Sequence, residues 1–153
     1  MPVGEHNSPA GPQVTALQMA LVAATICNHG VMNQPYLVDK VSNASGEIGY
    51  QASTSVLANP ITEETAKRTA AVLEGVIKRG TGTAAAINGV TIAGKTGTAE
   101  KGTDRDDSWF IGFANTEEGG GPVIAIVLED SSDAPAKSNN VLKVALQKAG
   151  KLS

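Results

Sequence analysis

From Val14 to His29 the chain is a run of small and apolar residues broken by isolated polar ones, "VTALQMALVAATICNH". Thr15 and Gln18 have the T-x-x-Q spacing of a capping box, in which each side chain satisfies the other's free backbone amide. Val14 and Met19 stand at the flanking hydrophobic-staple positions. The pattern predicts a helix that starts at Thr15, runs through "ALQMALVAATICNH" and stops at Gly30, a residue suited to the left-handed conformation that closes helices. After Pro60 a second helix is predicted, because Ala66, Ala70, Leu73, Val76 and Ile77 recur at helical spacing. Thr62 supplies its cap, Glu63 and Glu64 lie in its first turn, Lys78 and Arg79 in its last, and Gly80 beyond, all complementing the helix dipole. The charges beside the apolar face are expected to be solvated.

Between and after these helices the period changes. "QPYLVDKV" reads as extended, and "SNASGEIGYQASTS" as a polar loop or irregular hairpin. Three β-rich runs follow, "VTIAGKTGTAE", "SWFIGFAN" and "VIAIVLED", joined by "KGTDRDD" and "TEEGGGP", connections short enough for antiparallel hairpins. The final "NNVLKVALQKAG" carries an apolar stripe, Val141, Leu142, Ala145, Leu146 and Ala149, expected to pack on the sheet. The pattern therefore predicts an α+β fold: a three-stranded antiparallel sheet, built as a meander and packed with helices. Residues 1–13 are read as a loose entry segment and 14–153 as the folded part.

Composition narrows the function. The chain has 153 residues, 41% of them hydrophobic, enough for one domain with a core. A formal charge of -3, no basic cluster and 3% aromatic residues argue against a nucleic-acid partner. "TALQMALVAATIC" is too short and too amphipathic for a membrane span, and the first residues lack the regions of a signal peptide, so no export signal is expected. Asn43-Ala44-Ser45 is accordingly read as a chance sequon. Cys27 is the single cysteine, so an internal disulfide is excluded and the residue is expected to pack. Cys27 and His29 with the distant His6 do not make the ligand set of a metal site. No metal and no cofactor is expected.

The chemistry concentrates in "GVTIAGKTGTAE", residues 89–100. Read from Gly89 to Thr96 it fits G-x-x-x-x-G-K-[ST], the loop that cradles nucleotide phosphates; read from Lys95 it is K-T-G-T, a substrate-binding strand of penicillin-interacting serine enzymes. A phosphate loop needs a strand before its glycine turn and a helix opening at Lys-Thr. Here "VTIA" inside the motif reads as strand, and "GTAEKGTDRDDS" after it is turn-rich. The K-T-G reading needs a strand at a cleft edge with hydroxyls and a cation for a carboxylate. Thr96 and Thr98 project to one side, and Gly97 lets a substrate backbone approach as an added strand. Lys95 supplies positive charge, although strict alternation aims it the other way.

"GTGTAAAINGVTIAGKTGTAE", then "DSWFIGFAN" and "VIAIVLED", resembles the C-terminal half of the transpeptidase domain of class B penicillin-binding proteins, of the β-lactamase-like fold. "VTALQMALVAATICNHGVMNQPYLVD" resembles the segment preceding it, so the resemblance runs from about Val14 to Glu129. It implies D,D-transpeptidation, in which a serine attacks the D-alanyl-D-alanine end of a peptidoglycan stem peptide and the acyl group passes to a neighbouring amine; β-lactams mimic the donor. It also implies that Lys95 joins the network around the nucleophile and that Thr96 and Thr98 bind the carboxylate. The Thr98 amide would form one arm of the oxyanion hole. Trp109 and Phe110 are expected to be a buried pair.

The family also needs S-x-x-K and S-x-N upstream of K-T-G. No serine here has a lysine three residues on. Ser138-Asn139-Asn140 has the letters of S-x-N but follows K-T-G, and is read as a helix cap. The chain is therefore expected to be a partial transpeptidase domain, inactive alone. It would pair with a separately supplied N-terminal half, or self-associate, through the apolar 123–129 strand. The resembled family works outside the cytoplasmic membrane and is anchored to it. A noncatalytic binding or scaffold module of cell-wall synthesis is the alternative, and a nucleotide-binding protein the remote one.

Overall fold

The computed structural model describes residues 13–100, 106–115 and 121–152, so the proposed entry segment, apart from Gln13, and parts of both sheet connections lie outside the described residues. Helix α1, Ala16–Cys27, starts at the predicted capping box: the Gln18 amide donates to Thr15 Oγ1 at 3.2 Å and the Thr15 amide to Gln18 Oε1 at 2.8 Å. It ends earlier than the pattern predicts. Asn28 is its cap, and its side-chain amide donates to the Val31 carbonyl, closing a turn through His29 and Gly30 at φ 53° and 95°. A side chain that bonds to the turn in this way competes with the next helical residue.

The segment after α1 resolves into short strands. β1 (Met32–Asn33) pairs antiparallel with β4 (Val56–Ala58), and between them β2 (Lys40–Ser42) pairs with β3 (Ile48–Gln51). Asn43 builds the hairpin turn: its Oδ1 accepts from the Ser45 amide and hydroxyl and from the Glu47 amide, and its Nδ2 donates to Glu47. That is turn chemistry, for which asparagine is well suited. The hairpin leaves Val41, Ile48 and Tyr50 exposed, and Leu37 just before it fully so.

Helix α2, Glu63–Arg79, begins as predicted at Thr62, whose Oγ1 accepts from the Thr65 amide at 3.2 Å. Exposed pairs Lys67–Glu63 at 2.6 Å and Arg68–Glu64 at 2.9 Å line its outer face. The sheet follows: β5 (Thr91–Ala99), β6 (Asp107–Asn115) and β7 (Val123–Leu128), antiparallel and in the order β5-β6-β7. It is the predicted meander.

Alternation sorts the sheet's side chains into two layers. On one face Ile92, Phe110 and Ala114 meet Ile77, Ala85 and Ile87 and the buried Leu142 and Leu146 of α3, Ala134–Lys148. On the other, Ala93 and Phe113 pack with Ala23 of α1, flanked by Ile26, Ala70 and Leu73. The α3 face is kept thin by a glycine pair. Gly94 lies opposite Gly112 in the register, and the Phe110 ring covers both: a Cβ on Gly112 would lie 2.8 Å from the ring and one on Gly94 3.0 Å from its Cε2.

Two readings of α3 are corrected. It begins at Ala134, not at Ser138-Asn139-Asn140, and Ser138 is fully buried inside it, its hydroxyl donating to the Pro135 carbonyl. Asn139 donates to the Ala86 carbonyl. Pro135 sits in the first turn, where its missing N–H costs nothing, so the helix starts ahead of the polar triplet. Of the apolar stripe, Leu142 and Leu146 are buried, whereas Val141 is 46% exposed and Ala149 is the C-cap.

Candidate substrate-binding cleft

Among the described residues β5 is an edge strand, hydrogen-bonded to β6 on one side only. Thr96 and Thr98 lie two apart on it and in register with Phe110 and Ser108 of β6, so they continue the face that is core further along the strand. Past Phe110 the apolar layer ends. The face opens there into a cavity of about 930 Å³, walled on one side by Thr96, Gly97 and Thr98, with Thr81 beside them. The Thr81 and Thr96 hydroxyl oxygens are 2.6 Å apart.

The opposite wall is the connection from β7 to α3, Asp130–Pro135, with Asp106 and Ser108 at its foot. The start of β6 holds this connection in place. The amide of Asp130 donates to Oδ1 of the fully buried Asp107 at 3.1 Å. The amide of Ser131 donates to the Asp106 carbonyl at 3.1 Å, and that of Ala134 to Ser108 Oγ at 3.3 Å. The bond from the Asp130 amide to the buried Asp107 carboxylate is charge-assisted and offsets part of the cost of burying it.

The cleft thus sets hydroxyl donors on β5 against the carboxylates of Asp106, Asp130 and Asp133. It can receive an anion on the first wall and a cation on the second. Among the described residues, its lining includes no lysine and no histidine.

Of the residues singled out in the sequence, Thr96, Gly97 and Thr98 come together on the cleft wall. Lys95 does not line the cavity; it is exposed, and its Nζ donates to the Thr96 carbonyl at 2.7 Å. Trp109 and Phe110 are both buried, as expected, but on opposite faces, and neither lines the cleft. The Trp109 indole N–H has no hydrogen-bond partner among the described residues. Thr81, Ser108 and the 130–133 segment were not legible as site residues; their signal was polar residues placed directly at the ends of α2, β6 and β7. Thr91–Ala99 is a single strand running through Gly94-Lys95-Thr96, so no helix opens at Lys95-Thr96 as a phosphate loop requires.

Three antiparallel strands flanked by helices, with a threonine-lined edge strand at a polar cleft, have the layout of part of a transpeptidase domain of the β-lactamase-like fold. Residues 5–147 match the penicillin binding protein transpeptidase domain, and the chain belongs to that family. It is 34% identical over 147 residues to the peptidoglycan D,D-transpeptidase PbpA of Mycolicibacterium smegmatis, covering 89% of this chain and 28% of PbpA. The crystal structure of the D,D-transpeptidase domain of a peptidoglycan glycosyltransferase from Eggerthella lenta superposes with a TM-score of 0.86 at 49% identity, over 99% of this chain and 37% of that one. Penicillin-binding protein A of M. tuberculosis, in its imipenem acyl-enzyme complex, gives 0.77 at 27% identity, over 90% and 33%. The chain therefore spans less than two fifths of the length of each of these proteins. Among the described residues no helix is long and apolar enough to cross a membrane.

Proposed function

We propose that this chain supplies the K-T-G substrate-binding strand of a peptidoglycan D,D-transpeptidase domain, recognising D-alanyl-D-alanine stem peptides and β-lactams. The observation that carries the reading is the pair of hydroxyls, Thr96 and Thr98, side by side on an edge strand at the wall of an open polar cleft. A stem peptide lies along β5 as an added strand, using backbone groups that β6 leaves free, with Gly97 admitting its close approach. Its carboxylate accepts from the two threonine hydroxyls. The Thr98 amide forms one arm of the oxyanion hole, where preorganised donors stabilise the developing charge. Lys95 adds positive charge to the same strand, and on ligand binding its ammonium leaves the Thr96 carbonyl for the network around the nucleophile.

The nucleophile lies outside this sequence, since no serine here has a lysine three residues on. Residues 14–153 act as a partial domain, inactive alone, and acylation requires an upstream half bearing S-x-x-K and S-x-N. That half pairs with the β7 edge, 123–129; in its absence the same edge supports self-association. The complete enzyme works in a membrane-anchored, extracytoplasmic setting. The missing nucleophile equally favours a second reading, a noncatalytic module of cell-wall synthesis that keeps recognition of D-alanyl peptides.

Intact-mass analysis after incubation with benzylpenicillin separates these readings. The chain alone is expected to remain unmodified, and a complex with the upstream half to gain the antibiotic's mass. An adduct on the isolated chain overturns the claim of inactivity. An unmodified complex that has demonstrably formed leaves the noncatalytic module.

A further inference from the structure

Thr81 stands between two glycines at the end of α2, and its position is set by that helix. The amides of Gly80 and Gly82 both donate to the Val76 carbonyl, at 3.0 and 3.2 Å. The turn is pressed against the helix: a Cβ on Gly80 would lie 2.9 Å from the Val76 carbonyl oxygen, and one on Gly82 2.8 Å from Cδ1 of the buried Ile77. From this anchored turn Thr81 extends its hydroxyl to within 2.6 Å of Thr96 Oγ1.

A threonine hydroxyl has one proton to give and two lone pairs to accept with. If Thr96 donates to Thr81, its proton is used inside the protein and the oxygen facing the cleft repels an anion. If Thr81 donates to Thr96, the Thr96 proton is left for the cleft. An anionic ligand at β5 selects the second arrangement.

We propose that Thr81 is a positioning residue of the carboxylate subsite. It donates to Thr96 Oγ1 and so turns the Thr96 proton toward the ligand carboxylate, in a chain of two hydroxyls each strengthening the next bond. This inference rests on the reading of β5 as the carboxylate-binding strand. It assigns to the end of α2 a part in ligand recognition that the K-T-G motif by itself does not contain.

The test is an amide NMR titration of the chain with benzylpenicillin, following Gly97 and Thr98, with Thr81→Val, Thr81→Ala, Thr81→Ser, Thr96→Val and the double variant Thr81→Val/Thr96→Val. Losing the neutral Thr81–Thr96 hydrogen bond that orients the Thr96 donor predicts binding weakened by about twofold to tenfold in Thr81→Val and Thr81→Ala. Thr81→Ser is expected to bind as the parent does. Thr81→Val is expected to cost nothing further once Thr96 is valine, and to leave the weak binding of benzylpenicillin methyl ester unchanged. A purely structural role for Thr81 would lower affinity for acid and ester alike. Thr81→Ala adds no bulk and keeps the test valid if the valine disturbs the turn. Parent-like binding in both hydroxyl-free variants, or additive losses in the double variant, overturns the inference while leaving the strand assignment intact. No shift at Gly97 or Thr98 in the parent chain overturns the strand assignment, and this inference with it.

Discussion

Replacing Gly94 by alanine tests whether the glycine pair and the Phe110 ring act as one device. A methyl group there would meet Phe110 Cζ first, and would also lie 2.8 Å from the Ile111 carbonyl oxygen and 3.0 Å from Phe110 Cε2, inside ordinary van der Waals contact. Overpacking of this kind costs about 1–3 kcal/mol. Phe110→Ala removes a fully buried ring and costs about 3–5 kcal/mol. If the ring is the main obstacle to the methyl group, the double variant should fall short of the summed losses by at least about 1 kcal/mol, the remainder being the clash with the Ile111 carbonyl. Urea unfolding measures all three, with the buried Trp109, the single tryptophan, as the fluorescent reporter. Gly75→Ala is the control: a Cβ there meets nothing within 4 Å, and its helical setting predicts a gain of about 1 kcal/mol. A Gly94→Ala variant as stable as the parent, or losses that add to within about 0.5 kcal/mol, would refute the reasoning.

Two further outcomes follow from the surface. Glu63 has its pKa lowered by a hydrogen bond from Lys67 and by that residue's charge. Its contribution to stability is therefore present above the ordinary glutamate range and is lost as pH falls through the lowered value. Carbon-detected NMR should find Glu63 titrating below an exposed glutamate, and Lys67→Met should bring it back up; an unmoved midpoint in that variant would rule out Lys67 as the cause. Leu37 and Tyr50 are exposed despite their size, at 104% and 50%. Leu37→Ser and Tyr50→Ser should each change the stability measured in urea by no more than about 0.5 kcal/mol, and a loss of about 2 kcal/mol in either would mean that the hairpin arm is packed in solution.

Helix starts were legible where one side chain bonds one nearby amide: Thr15 with Gln18, and Thr62 with Thr65. The three sheet strands were legible because their period and the turn residues between them agree. The start of α3 was not, because the letters that cap a helix, Ser138 and Asn139, here serve contacts inside one, and the start signal is Pro135 instead. The end of α1 was hidden because Asn28 and His29 have acceptable helical letters, whereas Asn28 caps the helix and His29 takes the left-handed conformation that leads out of it. For the site, strand alternation sufficed to bring Thr96 and Thr98 to one wall and to turn Lys95 away from it. The facing wall depends on how β6 holds the connection into α3, a contact between segments far apart in sequence that no local pattern encodes.

In the three-stranded sheet each described strand pairs with its neighbours along the chain. Short loops make such pairings quick to close, so the two hairpins of β5, β6 and β7 can form early. Helix α1 is in the opposite situation. It leaves the ribosome well before the sheet, yet the residues its Ala23 packs with, Ala93 and Phe113, are made much later. Until the sheet is made, its apolar face can rest only on β1 and on Ala70 and Leu73 of α2, and the part that belongs against Ala93 and Phe113 stays open to chaperones and to misassociation.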